Sequence, residues 1–142
     1  MAISIPTALS AVLLDAVIAQ SNTGGNPQFL FYDVDGGAIP GVDAAATGDL
    51  AVTVTTSSTF PAAGGTRSSL KNTGFVEGTV TAGGPHTPDY FRMYAGNGTT
   101  LIAQGIPGTG AGDINFSGGL SWSTGGKVNL TQITLTIPET CS

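Results

Sequence analysis

Residues 6–33 read PTALSAVLLDAVIAQSNTGGNPQFLFYD, and the change of pattern inside this stretch sets the fold class. From Pro6 to Gln20 there is no glycine, and Leu9, Val12, Leu13, Ala16 and either Val17 or Ile18 recur at helical spacing. Ser4 or Thr7 stands where it can cap the first turn, with Pro6 at a tolerated early position. The run Ser21-Asn22-Thr23-Gly24-Gly25 stops the helix. Only Ser10, Asp15 and Gln20 interrupt its apolar character, so its hydrophobic residues spread beyond one stripe. A helix of this kind is expected to be buried on most sides, partly by the domain's own sheet and partly by another chain.

After Pro27 the periodicity becomes strand-like and stays so. Candidate strands are Gln28 to Asp33, Asp49 to Thr56, Ser69 to Thr81, Tyr90 to Ala95, Thr100 to Gly105, Asp113 to Phe116 and Lys127 to Ile137. In the last run, Ile133, Leu135 and Ile137 share one parity while Val128 and Leu130 have the other, so a bulge or twist near Thr131 is needed to keep a single face buried. Asn97-Gly98 between two such runs is a strong hairpin signal. Phe29 and Phe31 share a face, as do Phe91 and Met93, with Tyr90, Arg92 and Tyr94 opposite. Core packing is the expected use of these aromatics and of Tyr32 and Trp122. The 142 residues include 22 glycines and 8 prolines, which favours many turns. The expectation is a single domain over 1–142: mainly β, with a helix at about 6–20 and an antiparallel β-sandwich or jelly-roll-like barrel of about seven strands at 28–137.

Charged residues make up only 9% of the chain, against a usual fraction of about 25%, while hydrophobic residues make up 40%. Nine acids against four bases leave a net charge of −5. Nucleic acid is therefore not an expected partner, because a duplex reader needs a basic patch to displace counterions. No membrane partner is expected either: the apolar stretch from Ala8 to Ala19 is interrupted by Asp15, lacks a basic flank and is far shorter than the ~20 residues of a span. A surface so poor in charge is prone to self-association. With Cys141 as the one cysteine, neither an intrachain disulfide nor a Cys/His zinc site is available.

Chemical motifs are weak throughout. His86, in the turn Gly83-Gly84-Pro85-His86-Thr87-Pro88, has no spacing-defined nucleophile or orienting group and reads as a solvent-exposed turn histidine. Asp33-Val34-Asp35-Gly36 opens like a calcium loop, but Ala44 stands where the bidentate Glu belongs, so the segment reads as an Asx-type turn. Neither Gly105 to Gly112 nor Ser123 to Lys127 completes a phosphate loop. The sequons at Asn97, Asn115 and Asn129 follow from the abundance of Thr and Ser. No catalytic residue, cofactor or metal ligand is assigned.

The order of features nevertheless resembles a known group. An apolar helix after a short start, a Gly-rich break, a strand ending in Tyr32-Asp33, then Ala46-Thr47-Gly48-Asp49-Leu50-Ala51-Val52, Asp89-Tyr90-Phe91-Arg92-Met93-Tyr94, the Asn97-Gly98 turn, Gly112-Asp113-Ile114-Asn115 and a final Thr-rich strand are similar to small virion structural proteins of tailed bacteriophages. The resemblance spans nearly the whole chain, through order and spacing rather than any single motif. Tyr90-Phe91-Arg92, where that family often has Trp-Phe-Arg, is a mild departure.

The resemblance implies a non-enzymatic structural role in the virion; a capsid decoration or cement protein on the outer surface of the head is the first expectation, because symmetric self-association suits a surface so poor in charge. Its partners would be the major capsid protein and copies of itself, as a homotrimer. The alternative is a tail, baseplate or fibre-associated protein with receptor or glycan binding, and a third class is a secreted carbohydrate-binding or hydrolytic domain. Interface residues are expected on the helix, at Leu9, Val12 and Leu13. Arg67, Lys71 and Arg92 are expected to anchor to acidic patches, and the loops Val34 to Gly48 and Ile106 to Gly112 to touch the shell.

Overall fold

The computed structural model describes residues 3–141. The chain is mainly β, with 34% in strands and 11% in one helix. The helix α1 (Thr7–Ser21) lies between β1 (Ile3–Ser4) and β2 (Gln28–Asp33). The chain continues through β3 (Asp49–Thr56), β4 (Ser68–Lys71), β5 (Phe75–Val76), β6 (Gly78–Thr79), β7 (Tyr90–Tyr94) and β8 (Leu101–Gly105). It ends with β9 (Pro107–Gly108), β10 (Ile114–Asn115), β11 (Lys127–Val128), β12 (Ile133–Thr136) and β13 (Thr140–Cys141).

Five strands form the main sheet in the order β5-β3-β2-β7-β8, antiparallel at every step. Four two-stranded pieces complete the β structure: β4 with β12, β6 with β11, β1 with β13, and the parallel pair β9 with β10. Each of the seven expected runs carries strand; two of them break, which gives ten strands, and the short strands β1, β9 and β13 lie outside the expected runs and bring the number to thirteen. Residues 69–81 divide at Gly74 and Glu77, where β5 joins the main sheet and β6 turns to β11. The Lys127 to Ile137 run divides after Val128, so that β11 pairs with β6 and β12 with β4. That break answers the parity problem, for Val128, Leu130 and Ile133 are all buried although their spacing changes. The result is a β-sandwich-like arrangement rather than a closed barrel.

One face of the main sheet supplies the core. Phe29 and Phe31 of β2, Val52 and Val54 of β3, and Phe91 and Met93 of β7 are buried there, met from the opposite layer by Val80, Ile114, Val128, Leu130 and Ile133. Phe31 is the hub, with the rings of Phe91, Phe116 and Trp122 at 5.6, 5.6 and 5.5 Å. Ala51 and Val52 are both fully buried because the β2–β3 register slips between Phe31 and Tyr32, a bulge that leaves Ala51 unopposed. The β7–β8 hairpin closes as expected through Asn97-Gly98: Ala95 donates its N–H to Thr100 O (2.9 Å), and Gly98 takes φ +74°, a conformation costly for other residues.

The other face of the main sheet is not left to solvent. Loop 34–48 folds back across it, so that Tyr90 Oη donates to Thr47 O (2.7 Å) and Gln104 Nε2 to Pro40 O (2.8 Å). Tyr32 stacks on Tyr90 at 5.0 Å and 12°. Burial, and after it the neighbouring phenols of Tyr94 and Tyr90, push the Tyr32 hydroxyl above the ordinary tyrosine pKa. Tyr90 is thus packed beneath the loop on the outer face, while Phe29, Phe31 and Phe91 fill the sandwich interior.

Candidate functional site

Helix α1 touches both layers, lying against β4 and β8. Pro6 precedes its first turn without a side-chain cap, so neither Ser4 nor Thr7 plays the expected capping part. The buried residues are Ser10, Ala11, Leu14, Ile18 and Ser21, a single arc in which the two serines allow close approach. Within one chain the domain therefore buries a single arc, less than was expected of its own sheet, and the burial expected from another chain falls to the outward side. Leu9, Val12 and Leu13 are 50%, 64% and 41% exposed, and at 100° per residue they share one side of the helix with Ala16 and Gln20.

Polar contacts from the segment 57–67 fix which side faces out. At the start of the helix, Arg67 Nη1 donates to Ser10 Oγ (2.6 Å) and Nη2 to Ile5 O (2.6 Å). In the middle, Asp15 Oδ1 accepts the N–H of Ala63 (2.8 Å). At the end, Asn22 donates to Phe60 O (3.1 Å) and accepts from Phe60 N–H (3.0 Å). The helix is clipped along its length, and its one acid is drawn toward the domain. The outward side is therefore mainly apolar, with Gln20 its one polar residue, and is held in a fixed rotation.

The basic residues expected at an interface have different work. Arg92, 3% exposed, lies under loop 34–48, with Nε donating to Gln104 Oε1 (2.8 Å) and Nη2 to Ala44 O (2.8 Å) and Gly41 O (3.2 Å). Lys71 is also 3% exposed; its ammonium donates to Ser58 Oγ (2.7 Å) and Thr59 O (3.4 Å) and sits 5.5 Å from the Phe75 ring. Arg67 is half-buried and spent on the helix. None of the three projects from the surface as an anchor for an acidic patch: each satisfies carbonyl or hydroxyl oxygens inside the domain, Arg92 through Nε and Nη2 alone. Lys127, exposed and bonded to Thr79 Oγ1 (2.6 Å), is the remaining base, so the surface is more anionic than the net charge implies.

Burial holds the Lys71 ammonium below the ordinary lysine pKa. Between that lowered value and the ~10.5 of a free lysine, the unfolded chain binds a proton that the folded chain has shed, so this group makes stability rise with pH through that window. Lys71→Met is expected to abolish this rise while leaving the protein at pH 7 as stable as the parent or about 1 kcal/mol more so. Urea midpoints of both proteins from pH 7 to about 10 test this; a destabilised Met variant at pH 7 would contradict it.

His86 is buried, not the exposed turn residue that its sequence context suggests. Its backbone exchanges two hydrogen bonds with Trp122, His86 N–H to Trp122 O (2.9 Å) and the reverse (2.8 Å). Its ring lies between Asp33 Oδ2 (3.6 Å from Nδ1) and Thr81 Oγ1 (3.3 Å from Nε2). The spacing imitates a catalytic relay, but the Thr81 hydroxyl already donates to Leu50 O (2.6 Å), so Nε2 must carry its proton and donate to Thr81. A hydroxyl committed in this way is not activated by the imidazole. The group acts as a clamp between the turn 83–88 and Trp122.

Asp33 serves the same turn region, its Oδ1 accepting Asp35 N–H (2.9 Å) and its Oδ2 accepting Thr87 N–H (2.8 Å). This is the Asx turn expected at Asp33 to Gly36, with Asp35 at φ +48° and Gly36 at +78°. Among the described residues no group of three or more His, Cys, Asp or Glu side chains is disposed to hold a metal ion, and no helix is long and apolar enough to cross a membrane.

Both loops expected at an interface remain accessible in part, with Ile39, Val42 and Ile106 exposed. The structure thus brings Leu9, Val12 and Leu13 together on one surface and withdraws Arg67, Lys71 and Arg92 from it. No protein-family model, curated protein or solved structure matches this chain.

Proposed function

We propose that this chain is a non-enzymatic structural subunit of a tailed-phage virion, a decoration protein that clamps the outside of the head as a homotrimer. The observation that carries the self-assembling part of this reading is the outward side of α1, where Leu9, Val12 and Leu13 are exposed on a helix whose rotation is fixed by Arg67, Asp15 and Asn22. Apolar side chains contribute about 1.5–3 kcal/mol each when fully removed from water. Copies of an anionic chain repel one another, so an uncharged face is the surface through which they associate at least cost. The virion part rests on the resemblance in order and spacing of the sequence segments.

Loops 34–48 and 106–112, with Ile39, Val42 and Ile106 exposed, are the proposed contacts with the shell. A clamp at a local three-fold position meets three capsid subunits equivalently and needs a single type of contact. Protein counting on purified particles tests the placement. Hundreds of copies per particle are expected, with antibody label over the head; a few tens of copies, or label on the tail, overturns the head placement in favour of a tail or baseplate part.

A further inference from the structure

Arg92 is the one buried cation whose guanidinium is left incomplete. Its Nε and Nη2 are bonded to Gln104, Gly41 and Ala44, all through neutral oxygens, and no carboxylate of the described residues lies within 4.0 Å of it. Among the described residues Nη1 has no hydrogen-bond partner and no solvent-sealed side-chain nitrogen or oxygen lacks one, so Nη1 must still reach solvent. The opening that Arg92 lines is a pocket of about 460 Å³ between loop 34–48 and the end of the β7–β8 hairpin, with Asp43, Tyr94, Thr99, Leu101 and Ile102 among its walls. That volume falls in the range of small-molecule sites.

We propose that this pocket binds a small molecule bearing a carboxylate, which pairs with Arg92 Nη1 while its carbon skeleton lies against Tyr94 and Leu101. A buried guanidinium without a counter-charge favours an anion over a neutral ligand, and its planar N–H groups match a carboxylate's geometry. Thr99 adds a hydroxyl that can donate to the second oxygen. Asp43, exposed in the lining, weakens anion binding through its own charge. The pocket shares no residue with the apolar side of α1, so the proposal stands apart from self-assembly.

Benzoate and its neutral isostere benzamide are the probes, titrated to about 20 mM at constant ionic strength and followed by amide and Arg Nε–H chemical shifts. Benzoate is expected to move residues 43–45, 92 and 99–102 saturably, at least tenfold more tightly than benzamide. Asp43→Asn should tighten benzoate about threefold or more, and Tyr94→Ala should loosen it about fivefold. Arg92→Gln should abolish the preference for benzoate over benzamide, whereas Arg92→Lys, which keeps the charge but not the planar geometry, should only reduce it; since Arg92 also holds loop 34–48, Asp43→Asn is the variant that separates binding from folding. Equal response to the two probes, no response to either, or looser benzoate binding in Asp43→Asn overturns the proposal. Glucose bound in preference to benzoate would assign the pocket to neutral sugars and overturn it as well.

Discussion

Phe31→Ala is expected to lower the unfolding free energy by about 3–5 kcal/mol, the usual cost of deleting a buried aromatic ring. Phe31 is fully buried at the centre of β2, opposite Val52 on one side and Phe91 on the other. Its ring holds together parts of the chain that have few other ties. Phe91 comes from the main sheet, whereas Phe116 and Trp122 come from the loop-rich region between β10 and β11. Phe116 and Trp122 also meet edge to face at 5.1 Å, so the loss of Phe31 opens a cavity that rigid rings are poorly shaped to fill. For a domain stable by about 5–15 kcal/mol, this is a large fraction of the total, equivalent to about 10 °C or more in melting temperature. Phe31→Leu, which keeps most of the volume, should cost markedly less. Urea unfolding read by Trp122 fluorescence checks both, and a Phe31→Ala loss below about 1 kcal/mol would show that these rings do not form the centre of the core.

Val12→Asp should leave the folded chain almost untouched and weaken the proposed self-association about a hundredfold or more. Val12 is 64% exposed, and its replacement in an isolated subunit falls among surface changes worth about 0.5 kcal/mol or less. Between subunits the same carboxylate would be removed from water against Leu9 and Leu13 of a neighbouring copy, with no base on that face to pair with it. A penalty of about 3 kcal/mol per contact corresponds to more than a hundredfold in the dissociation constant. Leu14→Asp is the contrasting change: Leu14 is 1% exposed in the core, so this variant should fail to fold rather than merely fail to associate. Melting curves and sedimentation of the two variants distinguish the outward side of the helix from the inward one. Unchanged association of Val12→Asp would show that this side of α1 stays wet.

The parts of the fold that were readable in sequence are those governed by local rules. The observed bounds of β2 and β3 are those given by the alternation of QFLFYD and DLAVTVTT, and β7 and β8 lie where the runs around Asn97-Gly98 place them, within one residue. Helix α1 is shifted from the expected span by a single residue at each end. Its orientation was not readable, because apolar residues surround it and periodicity alone cannot rank one side over another. The choice was made by distant partners: Arg67, Ala63 and Phe60 act from 38 to 57 positions away through Asn22, Asp15 and Ser10.

The same limit explains the misassigned bases. Arg92 alternates with core residues and looks outward-facing, yet loop 34–48 returns over it and offers the carbonyls of Gly41 and Ala44. Lys71 is buried beside Phe60 and Phe75, which contribute from separate segments. His86 sits in a run of turn residues that normally lies in solvent, and the pairing of its backbone with Trp122, with Asp33 and Thr81 on either side of its ring, draws it in. In each case the deciding partner is a backbone oxygen or ring on another segment, which carries no sequence pattern of its own.

Sedimentation equilibrium of the unmodified 14.1 kDa chain at micromolar concentration is the most direct measurement. A mass of three copies that falls to one copy in Val12→Asp, with the melting temperature unchanged, is expected if the outward side of α1 joins the subunits of a homotrimer. A single-copy mass at all concentrations, or an assembly that Val12→Asp leaves intact, would contradict it.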